Sequence, residues 1–395
     1  EAEDAAEEAA KAAEDAAKDA EDADDDSNDD SDDDDATAAA GDRDPVQVET
    51  GQDGRERRKG EFLVRGDRRL PETLTAAGFV PLSVRHLRSL EQSVVRVRIR
   101  DGSSVDADIA AVRALQGAQG AEPNYVYRLS GDRSASAAST VGAAAPPARV
   151  AAGSADAEIR VGVIDTGADA SAPGLTGRIA SSRSFGGRYT PRPHGTHVAQ
   201  ILVRLGVRVD VADVFQTDAQ GAPIATAESI ARGIDWMAAH GVPVINVSIT
   251  GAHSPLLSDV VARAIARGSV IVAAAGNDGP AAPPAYPAAF PDVIGVTAVD
   301  AGGRVYRRAN RGEYVDFAAF GVRVPVDAGA GRTDYVTGTS YAAPLVAAIV
   351  ARRYRAARPG DAGTEVGALR VRAVDLGDRG RDPVYGWGLL PLPAR

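Results

Sequence analysis

Five stretches in the C-terminal part of the chain, at 159–164, 209–215, 242–249, 269–275 and 293–299, are continuous rather than alternating in hydrophobicity. That is the pattern of strands buried on both faces of a sheet. Helical periodicity runs between them at 197–205, 226–240 and 256–267, and again over 340–355. In the second of these helices Ile230, Ile234 and Met237 share one face. Strands alternating with helices predict an α/β fold, a mostly parallel sheet with helices on both faces. In such sheets chemistry gathers at the carboxyl ends of strands and at helix N-termini.

Residues 60–129 carry a different texture. Short strand signals at 61–64, 80–87, 94–99 and 121–129 are separated by a helix over 71–77 and another opened by Ser103, with Asp106 as its capping-box partner. Val105, Ile109, Val112 and Leu115 lie near one face of the second helix, which Gly117 and Gly120 end. The order β-α-β-β-α-β predicts a small ferredoxin-like α+β domain. Residues 130–156, rich in Ser, Ala, Gly and Pro, read as a flexible linker, and 157–395 as the large domain.

The formal charge of −11 is not a property of the whole chain. Residues 1–35 hold 19 Asp and Glu against two Lys, a net of −17, and the remainder sums to +6. Residues 1–59 are therefore expected to be an acidic, low-complexity disordered tail. The run at 24–35 lacks the turn glycine and distal Glu of an EF-hand loop. The basic residues are nearly all Arg, spread without interleaved aromatics, which gives no support to a nucleic-acid face. There is no cysteine, which excludes disulfides, thiolate metal sites and a cysteine nucleophile. No apolar run approaches the ~20 residues of a membrane span; the longest candidate, 341–351, is too short and contains Pro344.

Four segments stand where this architecture would place working groups. VGVIDTG at 161–167 ends the first buried strand with Asp165, and HGTHVA at 194–199 sets His194 at a helix N-terminus. GTSYAAP at 338–344 opens the long helix with Ser340, Pro344 being expected in its first turn, and AAAGNDG at 273–279 ends a strand with Asn277. A serine hydroxyl needs a base within reach, an imidazole suits that task, and a buried carboxylate must hold the imidazole in its working tautomer. Asp, His and Ser in this chain order match one known order of the triad. An amide N–H₂ with the Ser340 backbone N–H would stabilise the oxyanion. A DTG sequence also occurs in aspartic proteases, but that mechanism needs two carboxylates and only one such motif is present. His197 reads as a packed structural residue, and no HExxH-like metal spacing appears.

On these motifs residues 157–393 resemble the catalytic domain of the subtilisin-like serine proteases, the subtilases. VINVS at 244–248, YPAAFPDVIGVTAVD at 286–300 and AVDLGDRGRDPVYGWGL at 373–389 extend the likeness, and AEPNYVY at 121–127 resembles the closing strand of the family's propeptide. The resemblance implies a serine endopeptidase made as a zymogen, with residues 60–129 as an intramolecular inhibitor cut in or after 127–130. It implies catalytic Asp165, His194 and Ser340, an oxyanion hole at Asn277, a substrate strand at Ser248, Ile249, Thr250 and Gly251, and a specificity pocket lined by Ala274, Ala275, Gly276 and Ala285. It further implies a polypeptide substrate, no cofactor, a monomer, and a secreted or periplasmic/cell-envelope location. Activity would fall below roughly pH 6–7 as the imidazole protonates.

The sequence departs from the family pattern at several places. Gln200 replaces a Gly and would thicken the His helix, Tyr341 replaces a Met beside the nucleophile, and Phe320 replaces a Pro. The loop that wraps a calcium ion in the family is nearly absent between Ala199 and Val209, and Gly174 stands where an assisting Asp is usual, so no metal is expected there. The rival reading is a peptide-binding protein of the same fold, catalytically silent or permanently blocked by its own N-terminal domain.

Overall fold

The computed structural model describes residues 45–129, 159–359 and 364–392. The acidic run of the expected tail and the expected linker lie outside these residues.

The first segment contains β1 (Val48–Thr50), β2 (Glu56–Gly66), α1 (Leu70–Ala76), β3 (Val80–Leu87), β4 (Gln92–Arg98), α2 (Val105–Arg113) and β5 (Ala118–Leu129). Strands β3, β4, β2 and β5 form an antiparallel sheet in that order. Phe62, Val64, Leu70, Leu74, Val95, Val97, Ile109 and Val112 fill the space between this sheet and its two helices. Two expectations are corrected. Structure begins before residue 60: Val46 is buried, β1 pairs with β2, and β2 starts at Glu56. No apolar alternation announces these strands; backbone pairing and the Arg57–Glu49 ion pair hold them together. The N-cap of α2 is Ser104, which accepts from the Ala107 N–H at 3.2 Å, while Ser103 donates to Asp108 rather than engaging Asp106.

The second segment contains β6 (Arg160–Asp165), β7 (Ile179–Ser184), α3 (Pro193–Arg204), β8 (Arg208–Asp213), β9 (Phe215–Thr217), β10 (Pro223–Thr226) and α4 (Ala227–Ala239). It continues through β11 (Val244–Val247), β12 (Ile249–Gly251), α5 (Pro255–Ala266), β13 (Val270–Ala274), β14 (Ile294–Val299) and β15 (Phe317–Phe320). The last elements are β16 (Val324–Asp327), β17 (Thr333–Val336), α6 (Thr339–Arg353) and α7 (Thr364–Arg370). Seven strands form one all-parallel sheet in the order β15-β14-β13-β11-β6-β8-β7. The chain runs outward from β6 on one side and then returns to build the other, so the carboxyl end of β6 lies at the reversal. That is where a crevice opens in such sheets.

Helices α3 and α6 cover one face of the sheet with Val198, Leu202, Val346 and Val350, and α4 and α5 cover the other with Ile230, Ile234, Leu257 and Val260. Thr226 caps α4 in a reciprocal box with Ser229. Strand β7 (IASSRS) carries too little large apolar side chain to be read from the sequence, and β15 (FAAF) is only four residues long. Among the described residues no helix is long and apolar enough to cross a membrane.

Candidate active site

Asp165 is the last residue of β6 and is fully buried. Its two carboxylate oxygens lie 2.8 and 2.9 Å from Nδ1 of His194, the second residue of α3. Pro193 occupies the first helical position, where its missing N–H costs nothing. Three further bonds stitch these loops together. The Thr166 N–H donates to Asp165 at 2.7 Å, the Gly195 N–H to the Thr166 hydroxyl at 2.9 Å, and the Arg192 N–H to the Gly167 carbonyl at 2.9 Å. Gly195 has to be glycine, since a Cβ there would sit 2.2 Å from the Thr166 carbonyl oxygen. With Nδ1 committed to the carboxylate, Nε2 is the free nitrogen; it is buried and without a partner.

Ser340 is the second residue of α6, also fully buried. The next residue, Tyr341, packs its ring against the His194 ring at 5.3 Å between centroids. The three far-separated segments therefore converge. The Ser340 hydroxyl is turned toward the Ser248 carbonyl at 3.4 Å, and no hydrogen bond reaches Nε2 of His194 in this conformation. Pro344 falls in the second turn of α6, not the first. Its missing N–H releases the carbonyl of Ser340 four residues back, and the Ser248 hydroxyl donates to that carbonyl at 3.0 Å. Ser248 is itself oriented by the Asn246 amide at 2.9 Å and is fully buried, beneath the strand on which it was expected to meet substrate.

Asn277 follows β13. Its carbonyl oxygen accepts from the Thr339 N–H at 3.0 Å and the Thr339 hydroxyl at 3.2 Å. Its Nδ2 is buried with no acceptor. An orphaned donor of this kind costs about 1–3 kcal/mol. Gly276 before it has φ +108°, and a Cβ there would meet the Asn310 amide at 2.6 Å. Thr339 was not singled out from the sequence; its signal was its place between Gly338 and Ser340.

Of the expected substrate strand, Ile249, Thr250 and Gly251 form β12, and the chain's own β5 already pairs with it. Ile249 stands opposite Leu129, Thr250 opposite Arg128 and Gly251 opposite Tyr127. The other edge of β5 pairs with β10 through Val126 and Tyr127. Tyr127 is thus paired with both strands, its ring fully buried and its hydroxyl donating to the Ala252 carbonyl at 2.5 Å. Thr250, Gly251 and Ala285 line a cavity of about 420 Å³ together with Asp278 and Asn310. Ala274, Ala275 and Gly276 are buried and do not line it.

The N-terminal segment is held at other points too. Glu122 accepts from the Ser254 hydroxyl at 2.5 Å and the Leu256 N–H at 3.1 Å, capping α5; burial pushes its carboxyl up to about 6. Asp235 of α4 accepts from the Arg88 and Ser89 N–H groups, and Arg65 pairs with Asp259.

Gln200 does more than thicken α3. Its amide donates to the Pro173 carbonyl at 3.1 Å and the Asp327 carbonyl at 3.0 Å, tying a loop and β16 to the helix. With Gly174 beside this loop instead of a carboxylate, the residues present do not fit a calcium ion. Among the described residues no three His, Cys, Asp or Glu side chains converge as metal ligands.

A model of the subtilase family (Peptidase_S8) matches residues 156–388. Among curated proteins, the minor extracellular protease Epr of Bacillus subtilis is 30% identical over 60% of this chain, and the match spans 38% of its own length. The thermophilic serine proteinase of Bacillus sp. AK1 is 35% identical over 48% of this chain and 51% of its own. Subtilisin DY of Bacillus licheniformis is 33% identical over 60% of this chain and 90% of its own. Among solved structures, fervidolysin of Fervidobacterium pennivorans superposes with a TM-score of 0.68 at 23% identity, covering 89% of this chain and 64% of that one.

Proposed function

Because the chain belongs to the subtilase family, we propose that it is a serine endopeptidase, synthesised with its own inhibitor. The observation that carries this reading is the buried pair of unspent groups beside Ser340. Nε2 of His194 is an acceptor without a proton to take, and Nδ2 of Asn277 is a donor without a charge to hold. Both would be satisfied at once by a substrate passing through a tetrahedral intermediate.

In the reaction, an extended polypeptide pairs with Ile249–Gly251 as β5 does here. Rotation of the Ser340 hydroxyl toward Nε2 closes the relay. The oxygen attacks the scissile carbonyl carbon, His194 takes its proton and then returns it to the leaving amine, and Asp165 stabilises the imidazolium. Asn277 Nδ2 and the Ser340 N–H, at the positive end of α6, hold the oxyanion. Water then repeats the attack on the acyl-enzyme. No cofactor enters this chemistry.

Residues 45–129 act in this reading as an intramolecular propeptide, and residues beyond 157 as the peptidase domain. Support comes from β5, which lies on β12 in substrate-like pairing and leads directly toward the catalytic serine. The cut falls in or after 127–130. The enzyme is secreted and works as a monomer, as the name of the extracellular relative suggests for the first of these.

Incubating the purified protein and following intact mass, with Ser340→Ala alongside, tests the reading. Self-cleavage near residue 130 in the parent alone is the expected outcome, with labelling of Ser340 by a fluorophosphonate. Removing the nucleophile costs about 10⁶-fold in turnover, the size such knockouts have in subtilisin. The rival reading, a peptide binder blocked by its own N-terminal segment, draws on β5 filling the cleft; it expects no cleavage and no labelling at any incubation time.

A further inference from the structure

One buried carboxylate beside the triad has no place in the mechanism above. Asp213 ends β8 directly opposite Asp165 in the parallel register and is fully buried. Its carboxylate accepts from the Thr190 N–H at 2.7 Å and the Phe215 N–H at 3.2 Å, and the Gly167 N–H bonds to it as well. Gly167 lies two residues after Asp165, and Thr190 lies four residues before His194. A single acceptor group therefore gathers the loop carrying the carboxylate of the triad and the loop carrying its base.

We propose that Asp213 is a positioning residue for the Asp165–His194 couple: as a carboxylate it draws both loops onto one acceptor, and as a carboxylic acid it releases them. The chemistry is directional. Three N–H groups point at two oxygens, and a proton on either oxygen would face donors on every side. The charged groups around it are few. Asp165 lies on the neighbouring strand, and Tyr189 and Arg192 lie on the loop before α3; of these, Arg192 favours the carboxylate. On the remaining sides β7 presents Ser184, β9 presents Phe215, and α4 contacts the adjoining Val214 through Ser229; Arg183 of β7 and Arg232 of α4 lie over the ring of Phe185, whose N–H donates to the Asp213 backbone carbonyl. Burial outweighs the three N–H bonds and pushes the carboxyl up to about 6. Since the folded protein favours its protonated form, the working carboxylate is present above that pH and lost below it.

This inference rests on the peptidase reading, and the experiment separates the two. The matured parent, Asp213→Asn and Asp210→Asn are compared by pH profiles of kcat and kcat/KM on a peptide and of the fluorophosphonate labelling rate. Asp213 adds its own proton to the parent's acid limb, which becomes steeper than slope one. Asp213→Asn loses about 10- to 100-fold in kcat, keeps KM within about twofold, and titrates with slope one. Asp210→Asn, buried on the same strand but bonded to Arg160 and Ser181, lowers Tm and leaves the profile unchanged. A parent acid limb of slope one overturns the inference whether or not the variant folds. So does Asp213→Asn that keeps both kcat and the steeper limb. A parent that never labels overturns the peptidase reading itself, and this one with it.

Discussion

Thr339 grips Asn277 by its carbonyl oxygen, with the backbone N–H at 3.0 Å and the hydroxyl at 3.2 Å. The amide is thereby fixed with its nitrogen facing away, buried and unpaired. The residue before Ser340 thus determines which end of the Asn277 amide is left to act as the proposed oxyanion donor. Asn277→Leu is expected to lower kcat by about 10²–10³-fold with little change in KM, the magnitude known from the corresponding donor in subtilisin. Thr339→Val keeps the backbone bond and removes the hydroxyl, which also accepts from the Gly276 N–H at 3.2 Å; loss of its bond to Asn277, worth about 1 kcal/mol, should cost about fivefold in kcat. Steady-state kinetics on one peptide substrate check both. Equal KM increases with kcat intact would place these residues in ground-state binding instead.

Much of this was legible in the sequence because the chemistry is local. Asp165, His194, Asn277 and Ser340 each sit at a strand end or helix start that hydrophobic patterning reveals. Strands β7 and β1 were not legible: IASSRS and VET owe their conformation to partners elsewhere in the chain. The same holds for Ser248, whose role follows from a carbonyl freed by Pro344 more than ninety residues later. Asp213 was hidden for a related reason. A strand-terminal Asp becomes informative only when the loops that donate to it are known.

Gln200 makes a prediction about stability and metal. Its amide bridges the Pro173 and Asp327 carbonyls. Gln200→Ala loses two hydrogen bonds and leaves both carbonyls to find water, a cost of about 2 kcal/mol. For a unit of this size that is a Tm drop of about 4–8 °C. A chelator should leave the parent's Tm unchanged in the same scan. A chelator-induced drop as large as that of the mutation would mean that an ion, not the amide, secures the loop.

Oxidation should spare the site. The chain has no Cys and a single Met. That residue, Met237, is fully buried in α4. Beside Ser340 stands Tyr341, its ring tilted against that of His194, so no thioether takes that place. Hydrogen peroxide is expected to leave the peptidase rate unchanged, whereas Tyr341→Met should acquire peroxide sensitivity together with a mass gain of one oxygen at that residue. Rapid inactivation of the parent without such a gain in Tyr341→Met would contradict the arrangement.

The grip of the N-terminal segment should weaken as pH rises. Glu122 is buried where β5 meets α5, and its carboxyl is pushed from 4.5 to about 6 although Ser254 and Leu256 both donate to it. The docked state therefore binds a proton more tightly than the released state, in which Glu122 returns to water. Docking is favoured fully below about pH 4.5 and loses that advantage as pH climbs through 6. The shift corresponds to about 2 kcal/mol, or roughly thirtyfold in the docking equilibrium. Exposure of Ser340 to a fluorophosphonate, measured after self-cleavage at a series of pH values, should accordingly begin sooner above pH 6 than at pH 5 once labelling is normalised to that of fully matured enzyme. Glu122→Gln carries no proton to lose, so its release rate should be flat across the same window. If Glu122→Gln keeps the parent's steep dependence, another group governs release; the candidates are then the ion pairs that Arg65 and Arg96 make with Asp259 and Glu228.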